Sequence, residues 1–228
     1  MLRSDGGSHG GSTNWGAVLD ERYAKWHCGN IQHDMGSCSG IMAGPNYLVI
    51  GEWLVGAVDH HHLSISHKDG KTAMVYTSAG NQHPGIDGYR EKWHEDPTSH
   101  HRIKFGDRFI QLGAFRIGEV NHGHFSVSHS DSQTNAIFRS DGHHFSGPRT
   151  DWGLQSRSLG EPYGVTFGDR FVQIGHFRMG DVDGTHFSIS GAEKTIAVFK
   201  KDGTVHYGPR EDYTLFGRAL SECHVAPL

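Results

Sequence analysis

Apolar and polar residues alternate along the middle of the chain in short runs separated by glycine-containing turns. At 125–128 the order is Phe-Ser-Val-Ser, so that apolar side chains fall on one face and serines on the other. A period of two is typical of a half-buried antiparallel strand. The pairs Asp141-Gly142 and Asp202-Gly203 are hairpin-turn signals, because glycine adopts a positive φ without strain. The pattern therefore predicts an all-β protein of short antiparallel strands.

This strand pattern recurs three times at a constant spacing. Apolar runs that begin at Tyr47, Phe109 and Phe171 lie 62 residues apart. The alignment continues without a gap to a histidine that an apolar-serine run follows in every copy: His62, His124 and His186. Such a long match at one offset indicates three tandem copies of one unit of about 62 residues. Within the second copy we predict four or five strands, at 109–113, 114–120, 124–129, 134–140 and 143–146.

The repeat divides the chain into four segments. Residues 42–104, 105–166 and 167–228 are the three β repeats, and residues 1–41 hold part of a further repeat, a short helix at 17–26 and a loop. A unit of this size has an apolar face that it cannot bury alone. We therefore expect one compact domain in which the repeats cover one another. They are arranged either about a pseudo-threefold axis, as in a β-prism, trefoil or propeller, or stacked in a row.

Charge and hydropathy argue against several classes of protein. The 228 residues carry a formal charge of −4, with acidic and basic residues mixed along the chain. Nucleic-acid binding and binding to anionic membranes need a concentrated positive face, so neither is expected. No apolar run approaches the length of a transmembrane helix, so no membrane span is expected, and the compartment stays open. Cys28 and Cys38 could pair in an oxidising compartment, which would leave Cys223 unpaired.

The repeated histidines are the first candidate for chemistry. His62, His124 and His186 each come three residues after Asp59, Asn121 or Asp183. If the repeats pack about a threefold axis, three imidazoles near that axis could hold Zn²⁺. The alternative, which we favour, is a structural histidine that hydrogen-bonds the Asp or Asn of its own turn, because repeated side chains mostly preserve a repeated fold.

The loops after the last strand of the second and third copies are the second candidate. Each holds an arginine after Gly-Pro, an aspartate two residues later and an aromatic residue next to it: Arg149, Asp151 and Trp152, then Arg210, Asp212 and Tyr213. This combination suits glycan binding, in which a ring covers the sugar face and polar groups bind its hydroxyls. The alternative is a solvated loop closed by an ion pair and an anchoring aromatic ring.

An Asp-Arg pair also recurs in the second and third copies. Asp107-Arg108 and Asp169-Arg170 precede strand-like runs, while the first copy has no charge there and reads Asn46. An Asp-Arg pair at a repeated turn is more often a local hydrogen-bonding device than a catalytic one. We therefore expect a structural role for it.

The chain lacks the common catalytic motifs. It has no phosphate-binding loop and no dinucleotide motif. Active sites usually break repeat symmetry, whereas most polar features here obey it. We therefore expect a non-catalytic β-repeat protein, an interaction or structural subunit that binds a partner through repeated loops and needs no cofactor. Two alternatives stay open: a multivalent carbohydrate-binding protein, similar in architecture to three-unit lectins, and a histidine-based metal-binding protein.

Overall fold

The computed structural model describes residues 41–43, 46–67, 72–85, 103–130, 133–149, 154, 157, 159, 163–191, 194–210, 212–213 and 215–218. Within these ranges the protein is all-β, as the sequence predicts, and the described residues contain no helix. The strands form three antiparallel sheets, each a six-stranded meander in chain order. The predicted helix at 17–26, the partial repeat within 1–41 and the three cysteines lie outside the described residues.

The strands of the first sheet are β1 Ile41–Ala43, β2 Tyr47–Ile50, β3 Trp53–Ala57, β4 His62–His67, β5 Thr72–Thr77 and β6 Gln82–Pro84. Those of the second sheet are β7 Lys104–Gly106, β8 Phe109–Leu112, β9 Phe115–Asn121, β10 His124–His129, β11 Thr134–Arg139 and β12 His144–Arg149. Those of the third sheet are β13 Val165–Gly168, β14 Phe171–Ile174, β15 Phe177–Asp181, β16 His186–Ser190, β17 Thr195–Lys200 and β18 Val205–Arg210.

Equivalent strands of the sheets keep the spacing seen in the sequence. The second strand of each sheet begins at Tyr47, Phe109 or Phe171. The five strands predicted for the second copy are β8 to β12, with ends within three residues of those predicted. The structure also has β7 in front of them. This strand was not predicted, because three residues are too few to display a period of two.

One hydrophobic cluster draws side chains from all three sheets. Aromatic rings cross between sheets: Trp53 of β3 lies 5.8 Å from Phe187 of β16, and Phe125 of β10 lies 5.4 Å from Phe177 of β15, measured between ring centroids. These four side chains are almost fully buried, and each such burial contributes about 1.5–3 kcal/mol. The sheets are therefore held together by a shared core.

The central strands are buried on both faces, so the prediction of half-buried strands is wrong. The serines of the fourth strands have no more than trace exposure: Ser64, Ser66, Ser126, Ser128, Ser188 and Ser190. In the second and third sheets the chain after the last strand returns across this face, where the N–H of Leu154 donates to Ser128 Oγ and that of Leu215 donates to Ser190 Oγ, both at 3.3 Å. The serine face is thus an interior surface rather than a solvated one.

Candidate functional site

Two arginines at the repeated Asp-Arg turns have a left-handed backbone. Arg108 has φ 57° and Arg170 has φ 59°, values that residues with a Cβ rarely adopt. Each guanidinium reaches a buried carboxylate on the third strand of its sheet. Arg108 Nη1 donates to Glu119 at 3.0 Å, and Arg170 Nη2 donates to Asp181 at 2.5 Å. The arginine of each turn therefore has a hydrogen-bonding role, but the carboxylate that accepts its hydrogen bond lies eleven residues further along the chain.

Glu119 lies at the contact between the second and third sheets, which we call the 2–3 seam. Its fully buried carboxylate accepts a hydrogen bond from the backbone N–H of His176, in the β14–β15 turn. The Nδ1 of His176 lies 3.1 Å from the same carboxylate oxygen. The Nδ1 of His122 lies 3.8 Å from the other oxygen and 3.0 Å from Nδ1 of His176. One buried carboxylate and two exposed imidazoles therefore converge.

The donor atoms of these three residues lie close enough together to share a metal ion. Within the described ranges, Glu119, His122 and His176 are the group of possible metal ligands whose donor atoms all lie within 4.8 Å of one another. The predicted metal ligands His62, His124 and His186 are not part of that group.

The third sheet meets the first at an equivalent contact, the 3–1 seam, with different chemistry. The buried carboxylate is Asp181, which accepts hydrogen bonds from the N–H of Glu52 at 2.7 Å and of Gly184 at 2.6 Å. Glu52 and Gly184 stand where the 2–3 seam has its two histidines. An open depression of about 360 Å³ adjoins this seam, and its charged lining includes both signs: Glu52, Arg170, Asp183 and Lys201, beside His67, Gly184 and Thr185.

The first sheet meets the second through small side chains, at the 1–2 seam. Ala57 occupies the position of Glu119, and Asn46 occupies that of Arg108. A Cβ added to Gly113 would lie 2.8 Å from Cβ of Ala57, so the two backbones approach closely here. The first copy thus lacks both the arginine and the buried acid, so no unpaired charge is buried at this seam.

Each repeated histidine contacts the Asp or Asn of its own turn. The Nδ1 of His62 lies 2.8 Å from Asp59, that of His124 lies 2.7 Å from Asn121, and that of His186 lies 2.8 Å from Asp183: three equivalent contacts in three different sheets. Burial acts to raise the pKa of Asp183, but hydrogen bonds from Thr185 and His186 outweigh it and hold that pKa at about 2. These contacts have the geometry expected of structural histidines.

The predicted ligand residues of the third copy contact one another. Arg210 donates two hydrogen bonds to Asp212, at 3.0 and 2.6 Å, and its guanidinium lies 4.8 Å from the ring centre of Tyr213. The Tyr213 ring also lies 4.7 Å from the ring of His186. In the second copy, Asp151, Trp152 and the side chain of Arg149 lie outside the described residues.

The Gly-Pro pair before these arginines contacts the neighbouring sheet. A Cβ on Gly80, in the β5–β6 turn, would lie 2.7 Å from Pro148 of β12, and one on Gly142, in the β11–β12 turn, would lie 2.8 Å from Pro209 of β18. Gly203, in the β17–β18 turn of the third sheet, faces Gly85, which directly follows β6 of the first sheet. The hairpin glycines thus fit against the sixth strand of the next sheet.

The sixth strands β6, β12 and β18 form sheet edges and are largely exposed. Phe145 is 41% exposed and Tyr207 is 40% exposed. His144 stacks on Tyr207 at 3.8 Å between ring centres, which joins β12 to β18. Burial lowers the pKa of His144 to about 4 and raises the pKa of Tyr207 well above its usual value.

Comparison with protein-family models, with curated proteins and with solved structures finds no match to this chain. Among the residues described, no helix is long and apolar enough to cross a membrane.

The sequence pattern did not predict the buried acids or the imidazole pair. Glu119 and Asp181 interrupt apolar strands in the two copies that also carry the Asp-Arg turn, and this co-occurrence was the available signal. His122 and His176 lie 54 residues apart in different copies. Their contact depends on how the sheets pack, so no local pattern could reveal it.

Proposed function

We propose that this chain is a non-catalytic β-repeat protein that serves as an interaction or structural subunit and binds a partner protein. In this proposal the three sheets are related by pseudo-threefold symmetry, and their exposed sixth strands carry the binding surface.

Support for a pseudo-threefold arrangement comes from the contacts between sheets. In each sheet, the glycine of the turn between the fifth and sixth strands contacts another sheet. The first sheet contacts the second in this way, the second contacts the third, and the third contacts the first. A stacked row would leave its two end repeats without mutual contact, whereas Gly203 of the third sheet faces Gly85 of the first.

Support for a structural use of the repeated polar features comes from their partners. Asp183 and His186 bind each other, Arg210 binds Asp212, and Pro209 packs on Gly142. The partners of these groups in hydrogen bonding and packing therefore lie within the protein itself. The repetition is therefore explained by the architecture, without three equivalent ligand sites.

The observation that carries the binding proposal is the exposure of aromatic side chains on the sixth strands. Phe145 of β12 and Tyr207 of β18 each leave about two fifths of their surface in solvent. Aromatic residues are enriched in protein–protein interfaces, where they bury much area at little entropic cost.

The sixth strands also indicate how the partner is recognised. Pro84, Pro148 and Pro209 lie on these edge strands and lack the N–H that strand pairing needs. The partner is therefore a folded protein surface that binds side chains, rather than an extended peptide that adds a strand.

Affinity purification of the full chain, with and without Phe145→Ser, tests this function. The partner proteins retained by the unmodified chain should be lost with Phe145→Ser and kept with Tyr163→Ser, a matched variant of an aromatic residue that lies outside the sixth strands. Equal retention by all three chains would refute the proposed surface.

The same preparation distinguishes the carbohydrate alternative. Bound glycans in place of protein partners, lost on replacing Tyr213, would favour a lectin and contradict our proposal. The Tyr213 ring already contacts Arg210 and His186, which argues against its use as a sugar platform.

A further inference from the structure

We infer that the 2–3 seam is a binding site for one divalent transition-metal ion of the zinc class, with Glu119, His122 and His176 as its protein ligands. This inference is independent of the proposed partner binding, because none of the three residues lies on a sixth strand.

The separations of the donor atoms fit tetrahedral coordination. Zinc binds imidazole nitrogen at about 2.0–2.1 Å and carboxylate oxygen at about 2.0–2.2 Å, which places tetrahedral donor atoms about 3.3–3.4 Å apart. Here the two Nδ1 atoms are 3.0 Å apart, and they lie 3.1 Å and 3.8 Å from the carboxylate oxygens of Glu119. The 3.1 Å distance runs to one carboxylate oxygen and the 3.8 Å distance to the other, and both rings are exposed, so rotation of the side chains can adjust these separations.

The two Nδ1 atoms face each other at 3.0 Å, an arrangement that a metal ion can also bridge. Without an ion, the N–H of one neutral ring can donate to the lone pair of the other. A metal ion between His122 and His176 accepts both Nδ1 lone pairs at once. The side chains are 78% and 51% exposed, so an ion from solvent reaches them without a change in the fold.

The surroundings orient the carboxylate. Arg108 donates to one oxygen of Glu119, and the backbone N–H of His176 donates to the other. Each carboxylate oxygen keeps a second lone pair for a ligand. Hydrogen bonds of this kind fix the geometry of metal ligands in proteins.

The donor set also selects the class of metal. The Arg108 guanidinium offsets the negative charge of Glu119, so binding depends on the imidazoles rather than on charge. Imidazole suits zinc, copper and nickel, whereas calcium and magnesium prefer several oxygen donors. With three protein ligands, a fourth position stays open to water or to a group from a partner.

The site occurs at one seam. The 3–1 seam has Glu52 and Gly184 in place of the histidines, and the 1–2 seam keeps His60 but has Ala57 and Ala114 in place of the acid and the second histidine. The ion joins the β9–β10 turn of the second sheet to the β14–β15 turn of the third. It therefore stabilises this seam and no other.

The experiment uses the metal-free full chain titrated with Zn²⁺ or Co²⁺ by calorimetry, by visible absorption and by thermal unfolding. We expect one high-affinity ion per chain, a Co²⁺ spectrum of tetrahedral type and a rise in melting temperature, and no such effects from Mg²⁺ or Ca²⁺. His122→Asn and His176→Asn should each weaken this binding at least tenfold and remove the Co²⁺ band, while His60→Asn, the matched control, should leave both unchanged.

Two results would overturn the inference. One is unchanged affinity and spectrum in His122→Asn and His176→Asn. The other is equal weakening by His60→Asn, which would mean diffuse binding by the chain's 20 histidines. Both seam histidines are exposed, so folding of the variants is expected, and their circular dichroism without metal verifies it.

Discussion

Arg170 and Asp181 form an ion pair in which the carboxylate is fully buried and the guanidinium is about one third exposed. The two carboxylate oxygens also accept N–H groups from Glu52 and Gly184, so the pair links β15 to the neighbouring sheet. In the first copy the equivalent positions hold the uncharged residues Asn46 and Ala57. The ion pair of the third sheet can therefore be replaced by this uncharged pair through two mutations.

We predict that Arg170→Asn and Asp181→Ala are strongly coupled. Removing one partner alone leaves a buried charge unpaired or a guanidinium without its acceptor, and Arg170→Asn should cost about 2–4 kcal/mol. The double variant reproduces the first copy and should cost less than the sum of the single changes by about 1–3 kcal/mol. Urea unfolding of the four chains measures this coupling, and simple additivity would contradict the structural account of the pair.

His144 provides a pH-dependent prediction. Its folded pKa of about 4 lies below the ordinary value of about 6.5, so the unfolded chain binds its proton first as the pH falls. The stabilisation is complete above pH 6.5 and is lost progressively towards pH 4. We expect a loss of about 1–2 kcal/mol between pH 7 and pH 5 from this group alone.

His144→Gln is the matched variant, because Gln82 occupies the equivalent place in β6. It should flatten the dependence of unfolding free energy on pH between 6.5 and 4. An identical slope in both chains, measured by chemical unfolding at several pH values, would show that His144 is not buried as a neutral group.

Single residues were partly predictable from the sequence. The pairing of His62 with Asp59 follows from a spacing of three residues across a tight turn, so the local interpretation was available in advance. The pairing of Glu119 with His176 joins residues 57 apart in two different sheets. Such contacts depend on the packing of whole sheets, which single-residue patterns do not encode.

At the scale of elements, the hairpin glycines connect turn geometry to packing. Gly142 has φ 92°, and a Cβ there would lie 2.8 Å from Pro209 of the next sheet. Gly208 has φ 123° with nothing within 4 Å of its Cβ position. The two positions therefore share backbone strain but differ in their neighbours.

We predict that Gly142→Ala destabilises the protein more than Gly208→Ala does. Backbone strain alone costs about 1–3 kcal/mol at either site. The displacement of Pro209 should add about 1–3 kcal/mol for Gly142→Ala, as overpacking of a close contact does. Thermal unfolding of both variants measures the difference, and equal melting temperatures would argue against tight packing between these sheets.

Strands and turns were the most predictable level. The alternation at 125–128 and the Asp-Gly turns located five strands of the second sheet correctly. Two features of the second sheet were not predictable in this way. The three-residue strand Lys104–Gly106 shows no period, and the serines at 126 and 128 are buried because later chain segments cover them. Polarity indicated a solvated face, whereas the hydroxyls are satisfied internally, as between Ser128 and Thr134 at 3.2 Å.

At the scale of the whole molecule, one core shared by three sheets implies cooperative unfolding. Phe177 of the third sheet contacts Phe125 of the second, and Trp53 of the first contacts Phe187 of the third. A loss of packing in one sheet therefore weakens all three.

We predict that Phe177→Ala lowers stability by about 3–5 kcal/mol. Hydrogen exchange measured by mass spectrometry should rise in β5 and β11 as much as in β17. The exposed Phe145→Ala serves as a control and should leave exchange unchanged. A rise confined to β13–β18 would mean that the sheets unfold independently.

The all-β class was available from the sequence, because the period-two strand pattern recurs at a 62-residue offset. How the copies meet was not, since the seams combine Glu119, Asp181 and Ala57 at equivalent positions with three different partners. The residues at these contacts differ from one seam to the next, so the contacts leave no periodic pattern in the sequence.

Native mass spectrometry of the full chain, purified under non-denaturing conditions from the cells that make it, tests the proposed function most directly. A binding subunit should appear as a stoichiometric complex with another protein, and Phe145→Ser should release the free chain without loss of folding. A chain that runs as a free monomer in every preparation, or that carries glycans in place of a protein, would contradict the proposed function.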